Sequence, residues 1–211
     1  MTPPRLFYVM ELCDRSLFDL LHKCQRDIAT RERVAMALDV SRAMAYLHSR
    51  CPPIIHRDLK SLNVLLASDG GSVKLCDFGL VRTAVTAAGT PPYMAPELLQ
   101  ARPFNRSVDV YAFGILLWEI FSREVPFSGY ESADVREAVL SGGRPQVPRG
   151  ECPREVGQLM CRCWSEMPSQ RPAFDELEVL LQQLTKSIAQ DSPQEEIQNL
   201  GGDCLDDLLG K

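Results

Sequence analysis

Ile54-Ile55-His56-Arg57-Asp58-Leu59-Lys60-Ser61-Leu62-Asn63-Val64-Leu65-Leu66 is the stretch that decides how this chain is read. Two aliphatic runs flank a short segment in which an imidazole, a guanidinium, a carboxylate, an ammonium and an amide alternate with apolar residues. Apolar flanks that pack firmly hold a Brønsted base, a cation and an amide in fixed relation, an arrangement suited to chemistry on a polar substrate. Immediately downstream, Val64-Leu65-Leu66, the turn residues Ser68-Asp69-Gly70-Gly71 and then Val73-Lys74-Leu75-Cys76 predict a small β-hairpin. Such a hairpin returns the chain so that Asp77, the first residue of Asp77-Phe78-Gly79, lies near Asn63.

Upstream, the apolar run Leu6-Phe7-Tyr8-Val9-Met10, continuing through Glu11-Leu12-Cys13, predicts a strand that ends in a polar turn at Asp14-Arg15. Ser16 is placed to cap a short helix over 16–24, with Leu17, Leu20 and Leu21 on one face. A longer helix begins at Thr30 and carries Val34, Leu38, Ala45 and Leu47 as one stripe up to His48. Beyond the hairpin, residues 77–97 contain few large apolar side chains and read as a mobile surface segment. Residues 107–121 are apolar nearly all round, which predicts a helix buried in the centre of the domain. Further helical patterns cover 132–140, 153–164 and 173–188, and the polar, acidic remainder, 189–211, reads as a flexible tail. The fold class is therefore mainly α, a helical bundle with a small β-hairpin beside the loop at 54–63.

Composition narrows the function. The 211 residues are 45% apolar and 24% charged, ordinary for a globular protein with a sizeable core. Of the formal net charge of −5, residues 186–211 account for −4, with two lysines against six acidic residues, so the body is nearly neutral. That leaves no basic face of the kind nucleic acid requires. The eight cysteines form neither C-x-x-C pairs nor a dense regular framework, so they read as free thiols in a reducing cytoplasm. Cys161 and Cys163 lie in an apolar helical pattern and read as buried structural residues rather than half a metal site. No apolar run is long enough to serve as a signal peptide or to span a bilayer.

His56-Arg57-Asp58-Leu59 followed by Asn63 matches the pattern H-R-D-L-x-x-x-N, and Asp77-Phe78-Gly79 and Ala95-Pro96-Glu97 follow in order. Together they resemble the catalytic lobe of eukaryotic protein kinases, over about residues 6–186. Lys60 and Gly89-Thr90-Pro91-Pro92-Tyr93-Met94-Ala95-Pro96-Glu97 are similar to the tyrosine-kinase-like serine/threonine group. The resemblance implies transfer of the ATP γ-phosphoryl group to Ser or Thr hydroxyls of protein substrates, with ATP and Mg2+ as cofactors and oligomeric state left open. In that scheme Asp58 accepts or orients the acceptor hydroxyl, Lys60 steadies the γ-phosphate, and Asn63 and Asp77 supply oxygen ligands to magnesium. Met10, Glu11, Cys13, Ser16, Leu65 and Cys76 would surround the nucleotide. Arg57 would meet a phosphate on Thr83 or Thr86, and Thr90 would serve the substrate-docking loop. His56, Asp109 and the pair Glu97 and Arg171 are implied to be structural. The thirteen glycines include no G-x-G-x-x-G spacing, so the expected organisation is a remnant strand and hinge over 1–13, the large lobe over 14–188 and the tail. The alternative expectation is an inactive lobe that serves as a binding or regulatory module.

Overall fold

A computed structural model describes residues 9–67, 72–77, 89–150 and 152–191. Its elements are β1 (Cys13–Ser16), α1 (Leu17–His22), α2 (Thr30–His48), β2 (Val64–Ala67), β3 (Val73–Leu75), α3 (Pro96–Leu99), α4 (Ser107–Ser122), α5 (Ser132–Leu140), α6 (Arg154–Cys163) and α7 (Phe174–Asp191). Short 3-10 turns occupy Ser61–Asn63, Pro91–Tyr93 and Pro168–Gln170. The bundle is mainly helical, and its sheet is small.

α4 is the centre. Every residue from Val108 to Phe121 is buried, as an all-round apolar sequence requires. α6 packs against it where Gly114 meets Cys163: a Cβ added at Gly114 would stand 2.8 Å from the Cys163 Cβ, so the close approach of the two helices depends on glycine. The indole of Trp118 donates from Nε1 to the Gln146 carbonyl at 2.7 Å and anchors the following loop. α2 lies between α4 and α7, burying Val34, Ala37, Val40 and Met44.

The hairpin β2–β3 forms as the sequence implies, with Val64 opposite Leu75 and Leu66 opposite Val73. β1 adds a third, antiparallel strand on β2, with Ser16 opposite Leu65. Here the structure corrects the sequence reading. The strand begins at Cys13 and runs through Asp14 and Arg15, the residues expected to turn, while Val9, Met10 and Leu12 lie outside it and are 90, 72 and 87% exposed. Pairing with β2, rather than local apolar content, decides where this strand forms. Two further readings are corrected: α7 continues to Asp191, into the expected tail, and Cys161 is exposed although Cys163 is buried. The remainder of that tail, 192–211, lies outside the described residues.

Candidate active site

The loop 54–63 is pinned from below by α4. Asp109, in the first turn of that helix and fully buried, accepts from the backbone N–H of His56 at 2.9 Å and of Arg57 at 2.8 Å. Its Oδ2 also accepts from His48 Nε2 at 2.8 Å, which fixes the proton of that imidazole on Nε2 because a carboxylate only accepts. Arg57 is thereby held at φ 67°, a left-handed conformation that a non-glycine residue adopts only when its surroundings impose it. The His56 ring spans the loop and the end of β3. Nε2 donates to the Cys76 carbonyl at 3.1 Å, leaving Nδ1 to accept from the Asp58 N–H at 3.4 Å. Leu59 and Val64, both buried, provide the apolar flanks.

On this support the polar side chains converge. Asp58 Oδ2 lies 2.7 Å from Lys60 Nζ, Thr90 Oγ1 donates to Asp58 Oδ1 at 2.9 Å, and Lys60 Nζ donates to Thr90 Oγ1 at 2.7 Å. The carboxylate, ammonium and hydroxyl thus close a ring across two segments far apart in sequence. Asn63 donates from Nδ2 to the Asp58 carbonyl at 2.8 Å and to Asp58 Oδ2 at 3.1 Å. Both of its amide hydrogens are engaged, so the orientation is set and the carbonyl Oδ1 remains as its acceptor. The Cys76 N–H donates to the Asn63 carbonyl at 3.0 Å, which brings the exposed Asp77, itself at φ 63°, next to Asn63. An amide oxygen and a carboxylate are hard-oxygen donors of the kind magnesium takes, together with water and phosphate oxygens.

The residues implied for the nucleotide lie along the sheet. Leu65 is partly buried on β2, and Cys13 stands on β1 opposite Ala67. Burial, and then the Asp77 carboxylate, push the Cys76 thiol up. Met10 and Glu11 are exposed beyond β1, Glu11 within 3.4 Å of Lys74. The Ser16 hydroxyl caps α1, accepting from the Asp19 N–H at 3.1 Å and donating to Asp19 Oδ2 at 2.7 Å. Arg57 is buried with its guanidinium 5.6 Å from the Phe104 ring centre. Thr83 and Thr86 lie outside the described residues.

The family model described as protein tyrosine and serine/threonine kinase matches residues 1–181. The chain belongs to the protein kinase family. It is 43% identical over 196 residues to the serine/threonine-protein kinase CTR1 of Arabidopsis thaliana, covering 88% of this chain and 24% of that protein. A probable LIM domain-containing serine/threonine-protein kinase of Dictyostelium discoideum is 40% identical over 190 residues, covering 87% of this chain and 29% of that protein. A dual specificity protein kinase of the same organism is 39% identical over 187 residues, covering 83% of this chain and 37% of that protein. The chain thus spans well under half the length of these relatives.

Besides Asp109, two further buried carboxylates brace the fold among the described residues. Arg171 donates from its two terminal nitrogens to Glu97 Oε1 at 2.6 Å and Oε2 at 2.9 Å, and from Nε to the Ser165 carbonyl at 2.8 Å. The second escapes the sequence reading. Glu119, fully buried near the end of α4, accepts from Ser61 Oγ at 2.6 Å, from Tyr93 OH at 2.6 Å and from His22 Nε2 at 2.9 Å. Burial, reinforced by this carboxylate, raises the Tyr93 phenol well above its ordinary range and keeps it a donor. The available signal was a glutamate inside an otherwise apolar central helix, where an acidic side chain stays only if it is fully hydrogen-bonded.

Proposed function

We propose that this chain carries the phosphotransfer residues of a serine/threonine protein kinase. The observation that supports it best is the closed contact among Asp58, Lys60 and Thr90, oriented by Asn63. Magnesium-ATP, when bound, supplies the transferable phosphoryl group and the cations that neutralise its oxygens. Asp58 orients the acceptor hydroxyl and takes its proton, and Lys60 sets a positive charge beside the transferring group. Asn63 Oδ1 and the Asp77 carboxylate would hold magnesium. Met10, Glu11, Cys13, Leu65 and Cys76 would line the adenine side; Ser16, whose hydroxyl is engaged by Asp19, would contribute only its remaining acceptor capacity to the ribose. Arg57 would receive a phosphate placed on Thr83 or Thr86. The preference for Ser and Thr over Tyr is supported by Lys60 and its bond to Thr90, and by the names of most relatives. The relative with dual specificity makes tyrosine an outcome to measure.

The test is magnesium-ATP calorimetry on the chain and on Asp77→Ala, followed by phosphotransfer to Ser, Thr and Tyr peptides. Binding is expected for the chain and lost in the variant. Asp58→Asn is expected to bind ATP while turnover falls by about 10²–10⁴-fold, the usual contribution of a positioned general base. A folded chain that binds no ATP would instead support a binding module, the reading favoured by the exposed apolar side chains of Val9, Met10 and Leu12.

A further inference from the structure

α4 carries two buried carboxylates that both act on the loop 54–63, about three turns apart along the helix. Asp109 holds the start of that loop. Glu119 holds its end, and it does so jointly with two other segments. Ser61 follows Lys60 in the chain, and Tyr93 closes the 3-10 turn that begins just after Thr90. Lys60 and Thr90 are the partners of the 2.7 Å bond that joins the two segments at the surface. Glu119 therefore ties together, from beneath, the same segments that the Lys60–Thr90 bond joins from above.

The third donor comes from elsewhere. His22 is in the last turn of α1, the helix that follows directly from β1 and so from the nucleotide-side residues Cys13 and Ser16. Its ring is packed against Phe18 with centroids 4.5 Å apart, and its side chain is 12% exposed. Glu119 Oε1 is an acceptor shared with the Ser61 hydroxyl, so Nε2 carries the hydrogen. α1 is thus coupled through one carboxylate to both sides of the Lys60–Thr90 contact. We infer that His22 is a positioning residue for phosphotransfer, acting through Glu119 on Ser61 and Tyr93 and so linking the nucleotide side of the lobe to the acceptor side. This inference rests on the kinase reading above.

The experiment compares the whole chain with His22→Ala and with His22→Gln, whose amide keeps an N–H donor. Amide hydrogen exchange is followed in residues 59–64 and 90–95, with α6 as internal reference. A hydrogen bond to a charged group is expected to show as about tenfold or greater acceleration in both segments of His22→Ala, with α6 unchanged and His22→Gln restored towards the parent chain. In turnover assays the alanine variant is expected to lose kcat for peptide while KM for ATP stays constant. Acceleration confined to 17–23, acceleration that includes α6, or equal behaviour of the two variants overturns the inference. The exchange result does not depend on turnover. A parent chain without phosphotransfer refutes the kinase reading while the exchange comparison still decides the role of His22.

Discussion

At Asp109 one buried carboxylate takes hydrogens from two backbone amides and an imidazole, and each of these would be stranded without it. The cost of removal is set by the groups left behind rather than by the bonds lost. Asp109→Ala is expected to lower stability in urea denaturation by about 3–5 kcal/mol, because two amides and a histidine lose their partner and the strained Arg57 backbone loses its restraint. Asp109→Asn recovers only part of this, since its NH2 must face one of the donors. Cys76 gives a second test at this scale, with a sign fixed by its surroundings. Burial and then Asp77 raise the thiol, so its thiolate is scarcer at a given pH than that of an ordinary cysteine. Alkylation followed by mass spectrometry is expected to reach the exposed Cys51 and Cys161 first, with the Cys76 rate still climbing as pH rises through and beyond the ordinary thiol range. Asp77→Asn removes one of the causes and should speed the reaction. A Cys76 that reacts as fast as Cys51 near neutrality would contradict this account.

Among the elements, the start of α1 was legible from its cap. Ser16 is its expected cap, and the structure completes a capping box in which Asp19 answers Ser16. Lys23 and then Ser16 lower the Asp19 carboxyl to about 2. A carboxylate with a depressed folded-state pKa stabilises above its ordinary value and loses that contribution as pH falls towards its folded value. Amide protection in α1 is therefore expected to be level above pH about 4 and to decline between about 4 and 2, a decline absent in Asp19→Asn. Ser16→Ala should cost about 1 kcal/mol. α2 and α4 were legible for a different reason: long helices repeat their apolar spacing, and the repetition outweighs single residues. β1 was not legible, because its polar residues Asp14 and Arg15 form a strand only through pairing with β2, and nothing local announces that partner. Glu119 was hidden in the same way, its three donors lying in α1, the loop 54–63 and the turn after Thr90.

Across the whole molecule the same limit applies to Glu97 and Arg171, a contact that only the family resemblance suggested. The guanidinium does more than neutralise Glu97. It also donates to the carbonyls of Ser107 at 3.1 Å and Ser165 at 2.8 Å, and lies 5.2 Å from the centre of the buried Tyr111 ring. One side chain therefore joins α3, the start of α4 and the segment between α6 and α7. A planar fork of five donors meets this set of acceptors, and an ammonium does not. Arg171→Lys is accordingly expected to behave as a loss rather than as a conservative change. Breaking one side of a buried pair costs about 3–5 kcal/mol, since the remaining charge stays buried without compensation. Urea denaturation of Arg171→Met, Glu97→Gln and the double variant separates the effects. If the stranded charge dominates, the double variant is less destabilised than the sum of the singles, because neutralising Glu97 removes the penalty that Arg171→Met creates. If the bonds to the backbone carbonyls of Ser107 and Ser165 dominate, Glu97→Gln is mild, Arg171→Met remains severe, and the two add. The buried geometry of the Glu97 carboxylate favours the first outcome; strict additivity would assign the stabilisation to the backbone acceptors instead.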